Sequence, residues 1–401
     1  MFEIKGKFNT AVCYAKVADE GAIEQIRRMC DYALTEGSRI RIMPDVHAGK
    51  GCTIGTTMTV TDKVCPNIVG VDIGCGMYTV TLAEREVDLE RLDAAAHSVP
   101  SGMDIWETPL EPFDLAELRC CGKLCNTGRL KRSLGTLGGG NHFIELDRRA
   151  DGTLCLVIHS GSRNLGTQVA DHYQQLAVDL HAGKLDFSQE KEALIRLYKE
   201  CGRQTELQSA LSALKESFDS RLPDVPEDLC WLYGDPLEDY LHDVEICQRF
   251  ARRNREKIAE ILLERTGLSA ERAFHTVHNY IDTKERILRK GAIAAHAGEL
   301  VLIPINMRDG AVLAVGRGNP EWNDSAPHGA GRVLSRAKAR ETLSMDAYRA
   351  AMAGIYSSSV SEQTIDEAPM AYKSLEDIVD VIRESVDVVE ILRPIYNFKA
   401  S

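Results

Sequence analysis

The sequence contains no run of 18 apolar residues, the minimum for a membrane-spanning helix. Its first residues, MFEIKGKFNT, lack the apolar core of a secretory signal. Three familiar signatures are missing too: the GK[ST] of a Walker A loop, a strand–GxGxxG–helix pattern and a GxSxG elbow. These absences predict a soluble, cytoplasmic protein. They argue against P-loop NTPases, dinucleotide-dependent enzymes and α/β-hydrolases.

The chain also lacks a basic excess and a disulfide framework. Its 48 Lys+Arg face 60 Asp+Glu, a net charge of −12, which argues against a nonspecific nucleic-acid coat. A local basic groove stays possible, because net charge does not locate charges. Twelve cysteines in 401 residues are too dilute for a disulfide scaffold. We expect reduced and mostly buried thiols, such as Cys155 in TLCLVIH.

The composition that is present is globular, with 44% hydrophobic and 27% charged residues. Strand-like runs, some alternating and some continuously apolar, occupy residues 39–43, 53–60, 77–83, 143–147, 154–160, 299–305 and 311–316. No internal repeat or low-complexity linker interrupts the chain. The predicted fold class is therefore α+β, with one large mixed α/β domain over residues 1–401.

Helical patterning is strong over residues 20–35, 87–97 and about 166–267. The last stretch predicts a helical insertion that ends at Gly267, a suitable C-terminal cap. We expect Pro223, Pro226 and Pro236 to break this insertion into at least two pieces.

Glycines cluster in three places, residues 44–76, 135–166 and 291–331, each time beside Asp, His, Asn or Cys. Such clusters are typical of loops where the backbone approaches a ligand or adopts positive φ. For any single cluster, ordinary turns between strands are the favoured explanation. Three clusters rich in the same metal- and phosphate-binding residue types favour a functional site.

Asp72 and Cys75, in VDIGCGM, follow a run that predicts a strand ending near Val71. The two side chains converge if the chain turns at Gly74. A thiolate can bridge two metal ions, and a carboxylate supplies a hard oxygen ligand. A buried cysteine and a turn aspartate are the alternative reading of this motif.

Three histidines strengthen the metal hypothesis: His142, His159 and His278 each stand at the edge of an apolar strand-like run. A lone histidine there is usually a satisfied core group. With one Asp and one Cys, however, three imidazoles suffice for two adjacent metal sites. This mixed donor set does not select its metal.

Phosphate-binding candidates lie in the other glycine-rich segments. The backbone N–H groups of residues 135–141 and 329–332 can form anion-binding nests. Arg163 and Lys290 can neutralise phosphate oxygens. The segment HGAGRVLSRAKAR predicts a helix that begins at His328 and points its N-terminus at whatever this histidine holds.

Eight motifs in this order resemble the RtcB family of GTP-dependent RNA ligases. They are MPDVHAGKGCTIG, VGVDIGCGM, LGTLGGGNHFIE, HSGSRNLG, HNY, RKGA, HGAGR and EAPMAYK. The resemblance implies a fold whose strands form a central metal and GTP cleft. It implies an enzyme that joins RNA 3′-phosphate or 2′,3′-cyclic phosphate ends to 5′-hydroxyl ends, using GTP and two Mn²⁺ ions, in RNA repair or tRNA splicing. An archease-type activator is a possible partner.

The resemblance also implies roles for individual residues. His328 would be the nucleophile that accepts GMP, oriented by Asp45. Cys75 would bridge the two metal ions, with His159 and His278 completing one site and Asp72 and His142 the other. The nucleotide-binding positions would be Asn141, Phe143, Glu145, Arg163, Lys290, Asn306, Ala330, Gly331, Tyr372 and Lys399. Within this set Tyr372 would stack on the base, Lys399 would reach its edge, and Arg163 and Lys290 would contact phosphates.

The sequence departs from the family's usual pattern at four sites. Val277 replaces the first of two histidines before Asn-Tyr, and Asn306 stands where the family has serine. Ala326 and Pro327 replace the common Ser-Cys, and the chain ends in Lys-Ala-Ser and not Lys-Gly. These changes bear on nucleotide specificity and RNA preference, because no predicted metal ligand or nucleophile is lost.

Two other functions remain open at this point. A two-metal phosphoesterase acting on RNA ends would need the same Asp, Cys and His cluster but would leave HGAGR and EAPMAYK without a role. A noncatalytic paralogue that binds RNA ends would not need the nucleophile, and His328 is present. Neither the oligomeric state nor the natural RNA follows from these motifs.

Overall fold

The computed structural model describes residues 1–49, 51–201 and 203–399, in which strands form two large sheets. In chain order the strands are β1 Phe2–Lys5, β2 Thr10–Cys13, β3 Ile40–His47, β4 Ile54–Thr59, β5 Lys63–Val64, β6 Gly76–Leu82, β7 Phe143–Arg148, β8 Leu154–Ser160, β9 Leu232–Tyr233, β10 Ala270–Val277, β11 Asn279–Asp282, β12 Ile287–Lys290, β13 Ala292–Ala294, β14 Leu300–Asn306, β15 Gly310–Gly316, β16 Ser325–Pro327 and β17 Val386–Lys399.

The α-helices pack around these sheets. They are α1 Glu20–Cys30, α2 Pro66–Val69, α3 Leu89–His97, α4 Thr127–Arg132, α5 Arg163–His181, α6 Phe187–Glu200, α7 Leu207–Asp219, α8 Asp235–Thr266, α9 Arg336–Thr342, α10 Met345–Ala351 and α11 Leu375–Ile382. The mixed α/β fold predicted from the sequence is confirmed.

The larger sheet has the strand order β10-β6-β8-β7-β17-β15-β14, and the smaller one the order β1-β2-β3-β4-β12-β11. The larger sheet curls into a half-barrel, since its two edge strands meet: the Leu302 N–H in β14 donates to Thr276 Oγ1 in β10 at 3.1 Å. Strands β13 and β16 form a separate two-stranded sheet, and so do β5 and β9. The curl creates a concave face on which strand ends and loops converge.

The longest helix, α8, is the scaffold behind the larger sheet. Pro236 occupies its first turn, and Gly267 ends it in a left-handed conformation with φ of 75°. Its apolar side chains Val244, Phe250 and Ile258 are fully buried. Ile258 packs in the core cluster that contains residues of β6 and β8, whereas Val244 and Phe250 belong to the cluster that contains residues of the smaller sheet. Helix α8 also carries buried polar side chains, and these form hydrogen bonds with loops that surround the concave face.

All seven strands predicted from apolar runs are confirmed, with ends that differ by zero to four residues. The helices expected over residues 20–35, 87–97 and 166–267 are present as α1, α3 and α5–α8. Pro223 and Pro226 separate α7 from α8, whereas Pro236 begins α8 and breaks nothing. The status of this helical region as an insertion stays a prediction. The other ten strands of the described residues have no counterpart in the prediction: β1, β2, β5, β9–β13, β16 and β17.

Two local predictions are wrong. No strand ends near Val71, because Pro66 starts the short helix α2 and Gly70, with φ of 93°, ends it. No helix begins at His328 either. Ser335 caps α9 by accepting from the Lys338 N–H, so this helix starts at Arg336, and the glycines before it hold an irregular segment.

Two sequence expectations about solubility and thiols are tested in the described part of the chain. No helix there is long and apolar enough to cross a bilayer. All twelve cysteines are free and nine are buried, including Cys155 in β8. The terminal residues Ala400 and Ser401, on which the Lys-Ala-Ser departure rests, lie outside the described residues.

Candidate functional site

Three neighbouring strands bring the predicted metal ligands together. Cys75 directly precedes β6, His142 directly precedes β7, and His159 is the penultimate residue of β8, which lies between them. In register, His159 pairs with Met77 on one side and Phe143 on the other. His278 joins from the end of β10, where its backbone N–H donates to the Cys75 carbonyl at 2.9 Å. The antiparallel pairing therefore places four side chains at one point.

The donor atoms of these side chains face one another at short distances. Cys75 Sγ lies 3.3 Å from His159 Nε2 and 3.5 Å from His142 Nε2. His159 Nε2 lies 3.3 Å from His278 Nε2. Asp72 Oδ2 lies 3.0 Å from His142 Nε2. One sulfur, three nitrogens and one carboxylate oxygen thus converge, as the sequence predicts for a metal centre.

The protonation of two imidazoles follows from their other nitrogens. His142 Nδ1 bonds the Leu137 carbonyl at 2.8 Å, and His159 Nδ1 bonds the Asn141 carbonyl at 3.1 Å. A carbonyl can only accept, so each Nδ1 carries a hydrogen and donates it, which directs Nε2 of both rings at the cluster. Burial lowers the pKa of His159 and of His278, which keeps these rings neutral.

This arrangement fits a divalent cation. Nε2 of His142 and Nε2 of His159 both lie near a sulfur, and the former also lies near a carboxylate oxygen, contacts that a cation between them stabilises. Burial, and then the Asp72 charge, raise the pKa of the Cys75 thiol, so a thiolate at this place needs a nearby positive charge.

His328 lies beside this cluster and is oriented by a buried carboxylate. Its Nδ1 bonds Asp45 Oδ2 at 2.7 Å, and Asp45, in β3, is fully buried. Gly331, with a φ of 71°, packs closely against Asp45 because it has no side chain. A Cβ at this position would approach the Asp45 carbonyl oxygen to 2.8 Å. The ring centroid of His328 is 5.0 Å from that of His278. Its Nε2 is the nitrogen left for chemistry.

A cavity of about 350 Å³ is lined by His328, by most of the metal cluster and by most of the predicted nucleotide positions. Its lining includes Asp72, Cys75, His159, His278 and His328, and also Asn141, Phe143, Glu145, Asn306, Ala330, Gly331, Tyr372 and Lys399. Eight of the ten residues predicted to hold the nucleotide therefore face one cavity.

One end of this cavity is a charged network centred on Glu367. This carboxylate accepts from the Tyr372 hydroxyl at 2.7 Å, from Lys399 Nζ at 2.5 Å and from Arg336 at 2.6 Å. Burial opposes ionisation, but the Lys399 and Arg336 charges prevail and hold the pKa of Glu367 at about 2. Arg332 also donates to the Tyr372 hydroxyl, at 3.1 Å. The network fixes both the aromatic ring and the lysine.

A second carboxyl, Glu145 in β7, lies at the same end and accepts from Asn397 Nδ2 at 2.5 Å. Burial raises its pKa to about 7. Asn397 and Lys399 both belong to β17, which pairs with β7 so that Asn397 faces Glu145 and Lys399 faces Phe143. The C-terminal strand thus supplies two polar groups to this end of the cavity.

Arg163 and Lys290 are not among the residues that line the cavity. Arg163 has a φ of 56° and donates to the Gly102 carbonyl at 2.8 Å and to Thr136 Oγ1 at 3.1 Å. Lys290 is buried and donates to the Asn67 carbonyl at 3.1 Å. Their contact with phosphate stays a prediction.

Several residues of this site had no role in the sequence analysis. His47, Arg332 and Glu367 stand inside the quoted motifs PDVH, HGAGR and EAPMAYK, so the motifs themselves were the signal. Arg336, inside the quoted segment HGAGRVLSRAKAR, and Asn397 also line the cavity, and no motif singles out Asn397. Buried Asn254, in α8, bonds the loops that carry the ligands, and no pattern in the sequence marks it.

Comparison with known proteins gives a consistent result. The sequence model of the family described as "RtcB: tRNA-splicing ligase RtcB" matches residues 29–119 and 122–400. The chain is 31% identical to the RNA-splicing ligase RtcB of Escherichia coli K12, over 89% of this chain and 88% of that protein. It is 28% identical to its Mycobacterium tuberculosis counterpart, over 86% and 92%. It is 27% identical to the tRNA-splicing ligase RtcB of Aeropyrum pernix, over 85% and 83%.

Proposed function

Because the chain belongs to the RtcB family and is an RNA ligase, we propose that it joins RNA 3′-phosphate or 2′,3′-cyclic phosphate ends to 5′-hydroxyl ends. GTP is the energy source, and His328 carries GMP as a covalent intermediate. The observation that carries this proposal is the 2.7 Å bond from His328 to buried Asp45, in a cavity shared by the metal cluster and the nucleotide positions.

His328 is suited to attack phosphorus. The bond to Asp45 leaves Nε2 with a lone pair, and the carboxylate stabilises the ring as positive charge develops. In the first step Nε2 bonds the α-phosphorus of GTP and the bond to pyrophosphate breaks. The RNA 3′-phosphate oxygen then attacks the same phosphorus, which releases His328 and leaves an RNA end activated by GMP.

The nucleotide base belongs at the Glu367 end of the cavity. Tyr372 offers a ring for stacking, and its hydroxyl is held by Glu367 and Arg332. Lys399 and Glu145 supply a donor and an acceptor for the base edge. GTP selectivity depends on this polar pair, since stacking alone accepts any base.

Two Mn²⁺ ions would be held with Cys75 between them, by His159 and His278 on one side and by Asp72 and His142 on the other. Bound divalent cations supply Lewis-acid polarisation of phosphate oxygens. The donor set accepts several divalent ions, so the choice of Mn²⁺ rests on the family resemblance. Arg163, close to Asp72, and Lys290 are proposed phosphate contacts.

The cellular assignment is RNA repair or tRNA splicing in the cytoplasm, with an archease-type protein as a candidate activator. The natural substrate class is an RNA pair with the end chemistry given above.

A labelling experiment tests this function. The protein is incubated with GTP labelled at its α-phosphate and Mn²⁺, and acid-labile label on the protein is measured. We expect labelling and joining by the native protein and by the surface variant His97→Ala. His328→Ala should do neither, yet seal RNA whose 3′ end already carries GMP. Native protein without label, but with phosphate release from RNA ends, would establish a phosphoesterase. RNA binding without label or joining would establish an end-binding paralogue.

A further inference from the structure

His47 is the one histidine of the cavity lining that neither the metal cluster nor the nucleophile accounts for. It ends β3, two residues after Asp45. Its partner in β4 is Ile54. Ile54 also borders Gly291, where a Cβ would approach Ile54 to 2.2 Å and His328 Cε1 to 3.3 Å. Ile54 and Gly291 therefore connect His47 to His328 along the lining of the cavity.

The ring of His47 has a fixed tautomer. Nδ1 lies 2.9 Å from the Asp45 carbonyl oxygen, which can only accept, so Nδ1 carries the hydrogen. Nε2 of the neutral ring consequently has a lone pair, and no described residue donates a hydrogen bond to it.

Burial and two nearby positively charged groups together favour the neutral form of the His47 ring. Burial lowers its pKa; Asp45 opposes this, while His328 and Lys373 act in the same direction as burial. Lys373 lies behind β3, where its Nζ donates to the Pro44 carbonyl at 3.3 Å. A neutral imidazole with an open Nε2 is a proton acceptor at physiological pH.

The joining step needs such an acceptor. A 5′-hydroxyl is a weak nucleophile until its proton leaves, and the activated 3′ end already carries a good leaving group. We propose that His47 Nε2 accepts the proton of the attacking 5′-hydroxyl. The O5′–phosphorus bond forms, the bond from that phosphorus to GMP breaks, GMP departs with the electron pair, and the proton stays on His47.

This inference rests on the proposed function and is tested separately from it. His47→Asn is the central variant, because its amide nitrogen can replace Nδ1 as donor to the Asp45 carbonyl while Nε2 is lost. His47→Ala is the second variant, His97→Ala the control. Each is assayed for protein labelling by GTP and for sealing of RNA supplied with a GMP-activated 3′ end, over a range of pH.

We expect both His47 variants to label with GMP within about threefold of the native rate, since Asp45 and His328 are intact. The rate of sealing of activated RNA should fall about 10²–10⁴-fold, which is the usual contribution of a proton acceptor to a reaction rate. The sealing rate of the native protein should rise with pH and reach a plateau that begins below pH 6.5. The sealing rates of the variants should instead continue to rise as the hydroxide concentration increases. Added imidazole should partly restore sealing by His47→Ala.

Three outcomes would overturn the inference. The first is sealing at the native rate in His47→Asn. The second is equal loss of labelling and sealing in both variants, which would make His47 a support for Asp45. The third is an unchanged pH profile despite slower sealing. A native protein that never labels with GMP would instead overturn the proposed function.

Discussion

Asn254 in α8 is a buried side chain whose removal should loosen the metal centre without touching a ligand. Its Oδ1 accepts from the backbone N–H groups of Gly135 at 2.7 Å and Thr136 at 3.0 Å. Its Nδ2 donates to the Thr136 carbonyl, the Ser160 hydroxyl and the Gly161 carbonyl at 3.0–3.2 Å. One amide therefore joins the loop before His142 to the end of the strand that carries His159.

The size of the effect of Asn254→Ala follows from these bonds. The variant leaves two buried N–H groups without acceptors, and each costs ~1–3 kcal/mol. The expected loss in free energy of unfolding is therefore ~2–6 kcal/mol, a large part of the ~5–15 kcal/mol typical of a domain. The loops that relax also hold the ligands: the Leu137 carbonyl orients His142, and the Ser162 N–H bonds Asp72. Metal affinity should fall ~10–100-fold, as with other supporting residues.

The assay is urea unfolding of metal-free protein, followed by calorimetric titration with Mn²⁺. Asn164→Ala is the matched control, because Asn164 lies at the surface and bonds only Gln168 among the described residues. It should change neither quantity. Unfolding within 1 kcal/mol of the native value, together with native metal affinity, would refute the reasoning about Asn254.

Two further predictions concern the Glu367 end of the cavity. Because the pKa of Glu367 is held at about 2, below its usual 4.5, its ionised form stabilises the fold above pH 4.5, and this contribution disappears as pH falls toward 2. Glu367→Gln should thus be less stable than the native protein at pH 7, and the two should converge in urea unfolding near pH 2–3; a constant difference would contradict this. Tyr372→Ala should weaken GTP binding by ~1–3 kcal/mol in calorimetry, whereas Tyr372→Phe, which keeps the ring, should lose less. Native affinity in Tyr372→Ala would place the base elsewhere.

The sequence predicted those parts of the site that depend on local pattern. Apolar runs located β6, β7 and β8, and Cys75, His142 and His159 stand at or beside the ends of these strands. Once β8 pairs antiparallel with β6 and β7, these strand ends come together, and His142 and His159 meet Cys75. The turn at Gly74 was also foreseen, and its φ of 77° requires the freedom of glycine.

Parts that depend on distant pairing could not be predicted. Strand β17 contains Pro394 and charged residues, so its alternation is irregular, and only pairing with β7 and β15 defines it. Glu367 reads as an ordinary polar residue until Lys399 and Arg336 are brought to it. The start of α9 was misplaced because Gly329 and Gly331 resist helix formation, whereas Ser335 supplies a cap.

The structure separates the two departures from the family pattern that lie nearest the site. Val277, in β10, lines a second cavity and is absent from the lining of the cavity that contains Cys75 and His328. Asn306 does line the cleft, but its polar atoms serve the β14–β15 hairpin. Its oxygen accepts from the N–H groups of Arg308 and Asp309, and its amide donates to the Asp309 carboxylate. A serine there would offer one hydroxyl in place of this closed set of bonds. The substitution therefore changes the shape of the cavity wall more than its hydrogen-bonding capacity, and we expect it to alter what the cavity binds while the bond from His328 to Asp45 stays intact.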